Sequence, residues 1–279
     1  MIRFLALLAF ALVTPLSVRA EPLTVMSFNV RLPADSDGPD RWSARRDRFL
    51  KVWRGIGADV VGTQELFREQ GEAIVKADPR YAWFGRDRKG GHGDEHMGIF
   101  YRRDRLRLID SGDFWLSDTP DQPGSISWRH PLPRMVNWGR FERIVDRRRF
   151  TVINTHFPYR GEDEDAREKG ARAIAAFVGT LPTDEPVVLT GDFNTVPESA
   201  AYTALTARMA DAWTTAPRRS GTAATFHGFT GKADRRIDWI MTRGFTVEAI
   251  RTDDRPLQGR YPSDHFPVIA TLDFPVRRP

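Results

Sequence analysis

Pro186-Val187-Val188-Leu189-Thr190-Gly191-Asp192-Phe193-Asn194 runs a short apolar strand directly into an acid and an amide. A second stretch, Ser263-Asp264-His265, meets another apolar run from Phe266 to Leu272. Both place polar side chains at the end of a buried strand, where a rigid scaffold holds them to within about half an ångström. Strand ends carrying Asp, Asn and His suit a hard divalent cation and a phosphate. Oxygen ligands favour Mg2+, and the His and amide groups donate to phosphoryl oxygens.

Other strand ends along the chain deliver the same kind of group: Asn29, Gln64-Glu65, Asn154-Thr155-His156 and Asp238. Taken singly, each has an ordinary explanation, because Asn and Asp cap turns by bonding local backbone. Six strand termini all carrying such residues is a pattern that turn chemistry alone does not explain.

The strands themselves read as Leu23 to Val30, Asp59 to Thr63, Tyr81 to Gly85, Met97 to Tyr101, Leu106 to Ile109, Met135 to Val145 and Phe150 to Thr155, then Val187 to Leu189, Ile237 to Met241, Phe245 to Ile250 and Phe266 to Leu272. Helices are expected over Ser43 to Gly55 with Ser43 as N-cap, Leu66 to Ala77, Asp163 to Val178, and Glu198 to Ala207 with Pro197 in its first turn. Many strands with a few interspersed helices predict stacked sheets covered by helices, an α/β sandwich. No repeat, low-complexity tract or linker interrupts the chain, so one domain is expected over 21–279. Two long loops, Arg86 to Glu95 and Ser117 to Pro133, are candidate rims of a site.

The 279 residues are 41% hydrophobic and 28% charged, enough to bury a large core. Residues 1–20 read as a secretory signal peptide: Arg3, an apolar run from Phe4 to Val13, and Val18-Arg19-Ala20 before the cut. That run is about half of the roughly 20 residues a membrane span needs. Cleavage near Glu21 and a periplasmic or secreted product are therefore expected, without stable membrane insertion. There is no cysteine, so neither a lipidated leader nor disulfides are available, and stability must come from the core. The net charge of +5 falls to about +3 once Arg3 and Arg19 leave with the leader. This permits an anionic substrate but does not argue for a dedicated nucleic-acid clamp. A monomer is expected.

Together Ser27-Phe28-Asn29, Thr63-Gln64-Glu65, Asn154-Thr155-His156, Gly191-Asp192-Phe193-Asn194, Arg236-Ile237-Asp238-Trp239-Ile240 and Ser263-Asp264-His265 resemble the motifs of the endonuclease/exonuclease/phosphatase (deoxyribonuclease I-like) superfamily. They do so in the expected order and across the whole mature chain. Ile99 to Arg103 and Phe114 to Ser117 resemble a bacterial branch of it, whereas Pro158-Tyr159-Arg160 departs from that branch's Asp-His pair. The resemblance implies a four-layered α/β sandwich with its site at one edge of two mainly antiparallel sheets. It implies that Glu65 binds a divalent metal with Asn29 beside it and Asp264 as a second acidic group. Asp192 would position and polarise the attacking water, Asn194 would hold the phosphate, and His156 would contact a phosphoryl oxygen. His265, oriented by Asp238, would form the second His pole. Whether Asp192 or His265 is the base stays open.

Such a set suits phosphate-ester hydrolysis, which needs an in-line water and neutralised charge but little covalent chemistry from the protein. The expectation is a Mg2+-dependent phosphoesterase, with Mn2+ as a substitute, acting on a phosphodiester. A nuclease on extracellular DNA or RNA is the alternative, and an inactive binding module ranks last because no metal or water-positioning group is missing. Arg134 and Arg160 are candidate phosphate contacts, since guanidinium matches phosphate oxygens bidentately. Trp115, Trp128 and Trp42 are candidate rim residues. His92 and His96 sit in a loop expected to be flexible and solvated, with no third ligand at metal spacing, and Glu95-His96 precedes a strand that can line the pocket.

Overall fold

In the computed structural model, residues 21–275 are described; the expected leader over 1–20 lies outside them. Among the described residues no helix is long and apolar enough to cross a membrane. The chain runs β1 (Leu23–Asn29), α1 (Trp42–Ile56), β2 (Val60–Gln64), α2 (Arg68–Ala77), β3 (Tyr81–Phe84), β4 (Ile99–Arg102), β5 (Leu106–Trp115), β6 (Met135–Arg143), β7 (Arg149–His156) and α3 (Glu164–Thr180). It continues with β8 (Val187–Asp192), α4 (Ala200–Thr206), β9 (Ala210–Asp211), α5 (Ala212–Thr215), β10 (Arg219–Ser220), β11 (Asp238–Arg243), β12 (Thr246–Thr252) and β13 (Val268–Asp273).

Two sheets form, ordered β10-β12-β13-β1-β2-β4-β3 and β5-β6-β7-β8-β11-β9. Their apolar inner faces, including Val25, Val60, Val152, Val188 and Ile240, pack on each other. Outside the first sheet lie α1 and α2, through Phe49, Trp53 and Ile74. Outside the second lie α3 and α4, through Ile174, Val178 and Leu205. This gives the expected four layers of helix, sheet, sheet and helix.

The strand directions place the functional residues. β1 and β2 are parallel and joined through α1, with Asn29 opposite Gln64. β7 and β8 are parallel and joined through α3, with His156 opposite Asp192. Parallel pairs bring the C-terminal ends of both strands to the same edge. Their antiparallel neighbours β11 and β13 begin at that edge, so Asp238 faces Asp192 across the ladder and Asp264-His265 just precede β13.

Because side chains alternate along a strand, the inner face of each central strand can be read in steps of two. β1 gives Val25, Ser27, Asn29; β2 gives Val60, Gly62, Gln64; β7 gives Val152, Asn154, His156; β8 gives Val188, Thr190, Asp192. Each face passes from core, through a small or polar middle rung, to the site. The middle rung is hydrogen-bonded across the sheets. Asn154 Oδ1 accepts from Gln64 Nε2 (2.7 Å) and Thr190 Oγ1 (2.9 Å), and its Nδ2 donates to the Thr63 carbonyl (2.7 Å).

Three local expectations are corrected. α1 starts at Trp42 with Arg41 as the capping position, and Ser43 lies inside the helix, where its Oγ accepts from Arg41 Nε. α4 is capped by Ser199, whose Oγ accepts from the Tyr202 amide, so Pro197 precedes the helix rather than opening it. β5 continues to Trp115 instead of ending at Ile109. Its Asp110-Ser111-Gly112-Asp113 segment is polar because it forms a sheet edge, and a register shift follows Leu108.

Gly62 marks how closely the sheets approach. A Cβ there would lie 2.0 Å from Thr190 Oγ1 and 2.5 Å from Asn154 Oδ1. Gly62→Ala is therefore expected to lower stability by about 2–3 kcal/mol, at the upper end of overpacking costs, measured by urea denaturation; a midpoint equal to wild type would contradict this reading of the interface.

Candidate active site

At the shared strand edge lies a cavity of about 430 Å3, lined by Glu65, Arg134, His156, Asp192, Asn194, Asp264 and His265 among others. The backbone bends sharply here. Arg31, Glu65 and Asn194 all have positive φ (57°, 57° and 50°). Non-glycine residues rarely take this conformation, and the strain it stores gathers at functional sites.

Asn29 and Asp238 sit behind the lining and orient it. Asn29 Nδ2 donates to Glu65 Oε1 (3.0 Å) and to Asp192 Oδ2 (2.9 Å), and Asn29 Oδ1 accepts from the Arg31 amide (3.0 Å). Glu65 Oε2 accepts from the Leu32 amide (3.1 Å). Asp192 Oδ1 accepts from the Asn194 amide (3.0 Å), while Asn194 Nδ2 donates to the Phe157 carbonyl (3.0 Å). His265 Nδ1 bonds Asp238 Oδ2 at 2.8 Å, and its Nε2 lies 3.8 Å from Asp192 Oδ2. His156 Nε2 approaches the same oxygen at 3.6 Å.

Burial and charge separate these groups. Burial disfavours the His265 imidazolium, but the Asp238 and Asp192 carboxylates outweigh it and lift His265 to about 10. Asp192 is pushed up to about 7 by burial and then by the charge of Asp238. His156 is held well below its usual range by burial, with Arg134 and His265 adding to the effect. The site thus contains a protonated imidazole, a neutral one, and a carboxylate between them that can take a proton near neutral pH.

Two clusters offer cation ligands. Ligand atoms of Asp192, Asp238 and His265 lie within 4.8 Å of one another. There the Asp238 carboxylate, 2.8 Å from His265 Nδ1, favours the protonated imidazole, whose Nε2 then carries a proton and is no ligand; this fits proton handling better than metal binding. Glu65 and Asp264 are the better fit. Arg31, the cation beside them, stands 3.7 and 3.8 Å off. Burial, together with the charge of Glu65, holds Asp264 above the usual carboxylate range. These two carboxylates, with Asn29 holding Glu65 through its Nδ2, offer oxygen ligands suited to a hard divalent cation.

Of the remaining sequence candidates, Arg134 lines the cavity and is fully buried, and its Nε and Nη1 have no hydrogen-bond partner. Arg160 does not line it; its guanidinium is taken up by Asp163. Trp115 is 1% exposed and donates to the Arg88 carbonyl, so it cannot touch substrate. Trp42 packs against Phe49 in the core, and Trp128 bonds Asp118 outside the lining.

The Arg86–Glu95 loop is not an open solvated stretch. Asp87 accepts from the amides of Lys89, Gly91, Gly93 and Asp94. His96 is buried against the Leu66 carbonyl, and among the described residues no third ligand joins it and His92. The loop carries Glu95 and Arg88 into the cavity, paired at 2.9 Å. Arg31, Arg88, Tyr159 and Arg235 also line it and were not singled out from sequence. Arg31 (two residues past Asn29), Tyr159 (three past His156) and Arg235 (just before Arg236) all lay beside readable motifs, whereas Arg88 did not.

The sequence profile of the Endonuclease/Exonuclease/phosphatase family matches residues 26–265. A protein of that family from Bacteroides thetaiotaomicron is 32% identical, with a TM-score of 0.85 over 92% of this chain and 100% of its own. A mannosyl-6-phosphatase from Bacteroides thetaiotaomicron is also 32% identical, with a TM-score of 0.85 over 90% of this chain and all of its own. Protein angel of Drosophila melanogaster is 22% identical over 179 residues; the match spans 63% of this chain and half the length of that relative. The chain belongs to the endonuclease/exonuclease/phosphatase family, whose members are metal-dependent phosphoric ester hydrolases.

Proposed function

We propose that this protein uses Mg2+ to hydrolyse a small phosphomonoester, such as a sugar phosphate. Arg134 carries this reading. A buried guanidinium with two unpartnered nitrogens is costly unless an anion completes it, and a phosphate matches its geometry. With the His265 imidazolium and Arg31, Arg88 and Arg235 it gives the cavity a cationic lining, which suits the dianion of a monoester. The 32% identity to a mannosyl-6-phosphatase supports the same choice. The diester expected from sequence is thereby displaced as our first reading, and the small net charge speaks against duplex DNA.

Glu65 and Asp264, with Asn29 beside them, would hold the metal, which when bound supplies Lewis acidity at a phosphoryl oxygen. Asn194 and neutral His156 donate to the phosphoryl group. Asp192, fixed at both oxygens, orients the attacking water and accepts its proton. His265 keeps its own proton and stabilises developing charge. Asp192 is thus the base in our reading, since the Asp238 bond keeps His265 protonated.

Removing metal with EDTA should abolish release of phosphate from mannose 6-phosphate, and Mg2+ or Mn2+ should restore it. The specificity constant for that ester should exceed that for bis-p-nitrophenyl phosphate at least tenfold. Undiminished turnover after demetallation would sink the metal assignment. Faster diester hydrolysis would return the expectation from sequence, and strongly salt-dependent plasmid cleavage would favour a nuclease.

Asp192→Asn should keep the wild-type fold by circular dichroism yet lose roughly 10³-fold in kcat, a typical cost of deleting a preorganised catalytic group. Retention of a near wild-type rate would exclude Asp192 as the base.

A further inference from the structure

A second cavity, of about 510 Å3, lies on the far side of the Arg86–Glu95 loop from Arg88 and Glu95 and shares none of its lining with the catalytic pocket. It opens where the free edges of the two sheets, β3 and β5, meet beside α2. We infer that this cavity is a binding site for a neutral carbohydrate.

Size comes first: ~300–1,000 Å3 is the usual range for small-molecule sites. The charges on its rim are already cancelled in pairs. Arg86 forks onto Asp113 (2.8 and 2.6 Å), and Arg68 bonds Glu72 (2.8 Å). No unpaired arginine or carboxylate is left to select a charged ligand. Yet each pair retains spare donors or acceptors, which hydroxyl groups satisfy without breaking the pair.

Apolar surface is present beside them. Trp83 and Phe84 line the cavity, and Trp83 is clamped in place, stacked on Phe100 with centroids 5.6 Å apart. Its indole passes so close to Gly71 that a Cβ there would lie 2.7 Å from the ring. Trp83 Nε1 has no hydrogen-bond partner among the described residues and is not sealed from solvent. The unpaired backbone of two edge strands adds further donors and acceptors. An amphipathic indole with a free N–H, paired charges and edge backbone together match the alternating C–H and O–H surface of a sugar ring. A purely apolar ligand would leave these polar groups unpaired.

The test uses the full-length mature protein, 15N-labelled, titrated with methyl α-D-mannopyranoside, methyl α-D-glucopyranoside and methyl β-N-acetylglucosaminide. Glucuronate and glucosamine serve as charged controls. At least one neutral glycoside should saturate with a millimolar Kd and shift the Trp83 indole N–H, leaving the Asn194 amide in place. Ser111→Arg, on the exposed rim, should weaken binding at least tenfold without changing kcat/KM on a phosphate ester. Trp83→Phe, which keeps the stacked ring but deletes the N–H, should weaken it several-fold. No shift at Trp83 with any neutral glycoside at about 50 mM, equal binding of the charged sugars, or an unaltered Kd in Ser111→Arg would each overturn the proposal. Because binding is read at Trp83 rather than as turnover, failure here and failure of the phosphatase reading are distinguishable.

Discussion

The carboxamide of Asn29 donates from one nitrogen to Glu65 Oε1 and to Asp192 Oδ2, at 3.0 and 2.9 Å. Glu65 follows a strand of the first sheet and Asp192 ends a strand of the second, so this one group fixes the distance between them. Two carboxylates brought together in a buried edge repel each other, and each loses hydration. A neutral donor between them offsets part of that cost without contributing a charge. It also leaves Glu65 free to bind a cation and Asp192 free to hold water, the division of labour our reading requires.

Such an arrangement depends on the two sheets keeping a close register, which the polar rung beneath the site provides. Asn154 Oδ1 accepts from Gln64 across the sheets and from Thr190 on the neighbouring strand of its own sheet, and all three are fully buried. A buried network of this kind favours one alignment. Sliding either sheet would break the bonds that meet at Asn154 and leave more groups unpaired than the Gln64 Oε1 that already lacks a partner. Pure apolar packing would tolerate such a slip more easily. The core below gives stability, and the rung gives position.

Much of this was legible in the sequence because strand periodicity is simple. Val188, Thr190 and Asp192 share one face by alternation alone, and the apolar run before them marks the strand. The parts that stayed hidden depend on long-range geometry. Nothing local distinguishes Arg134, which is buried and unpaired, from Arg160, which is bound by Asp163. Trp115 reads as a rim residue after a polar segment, but β5 carries it into the interior, where it joins Met97 and Met135. Arg88 and Glu95 reach the cavity only because Asp87 folds its own loop around four backbone amides. A helix start, such as that of α4 at Ser199 rather than at Pro197, turns on a single side-chain bond that composition does not reveal.

The central claim is that the carboxylates of Glu65 and Asp264, with Asn29 beside them, hold the metal, while Asp192, Asp238 and His265 handle protons. Crystals of the protein soaked with Mn2+ and phosphate would decide it through an anomalous difference map. The expected result is a peak contacted by Glu65, with phosphate against Asn194 and His156. A peak seated instead among Asp192, Asp238 and His265 would contradict the division of the site on which the proposed mechanism rests.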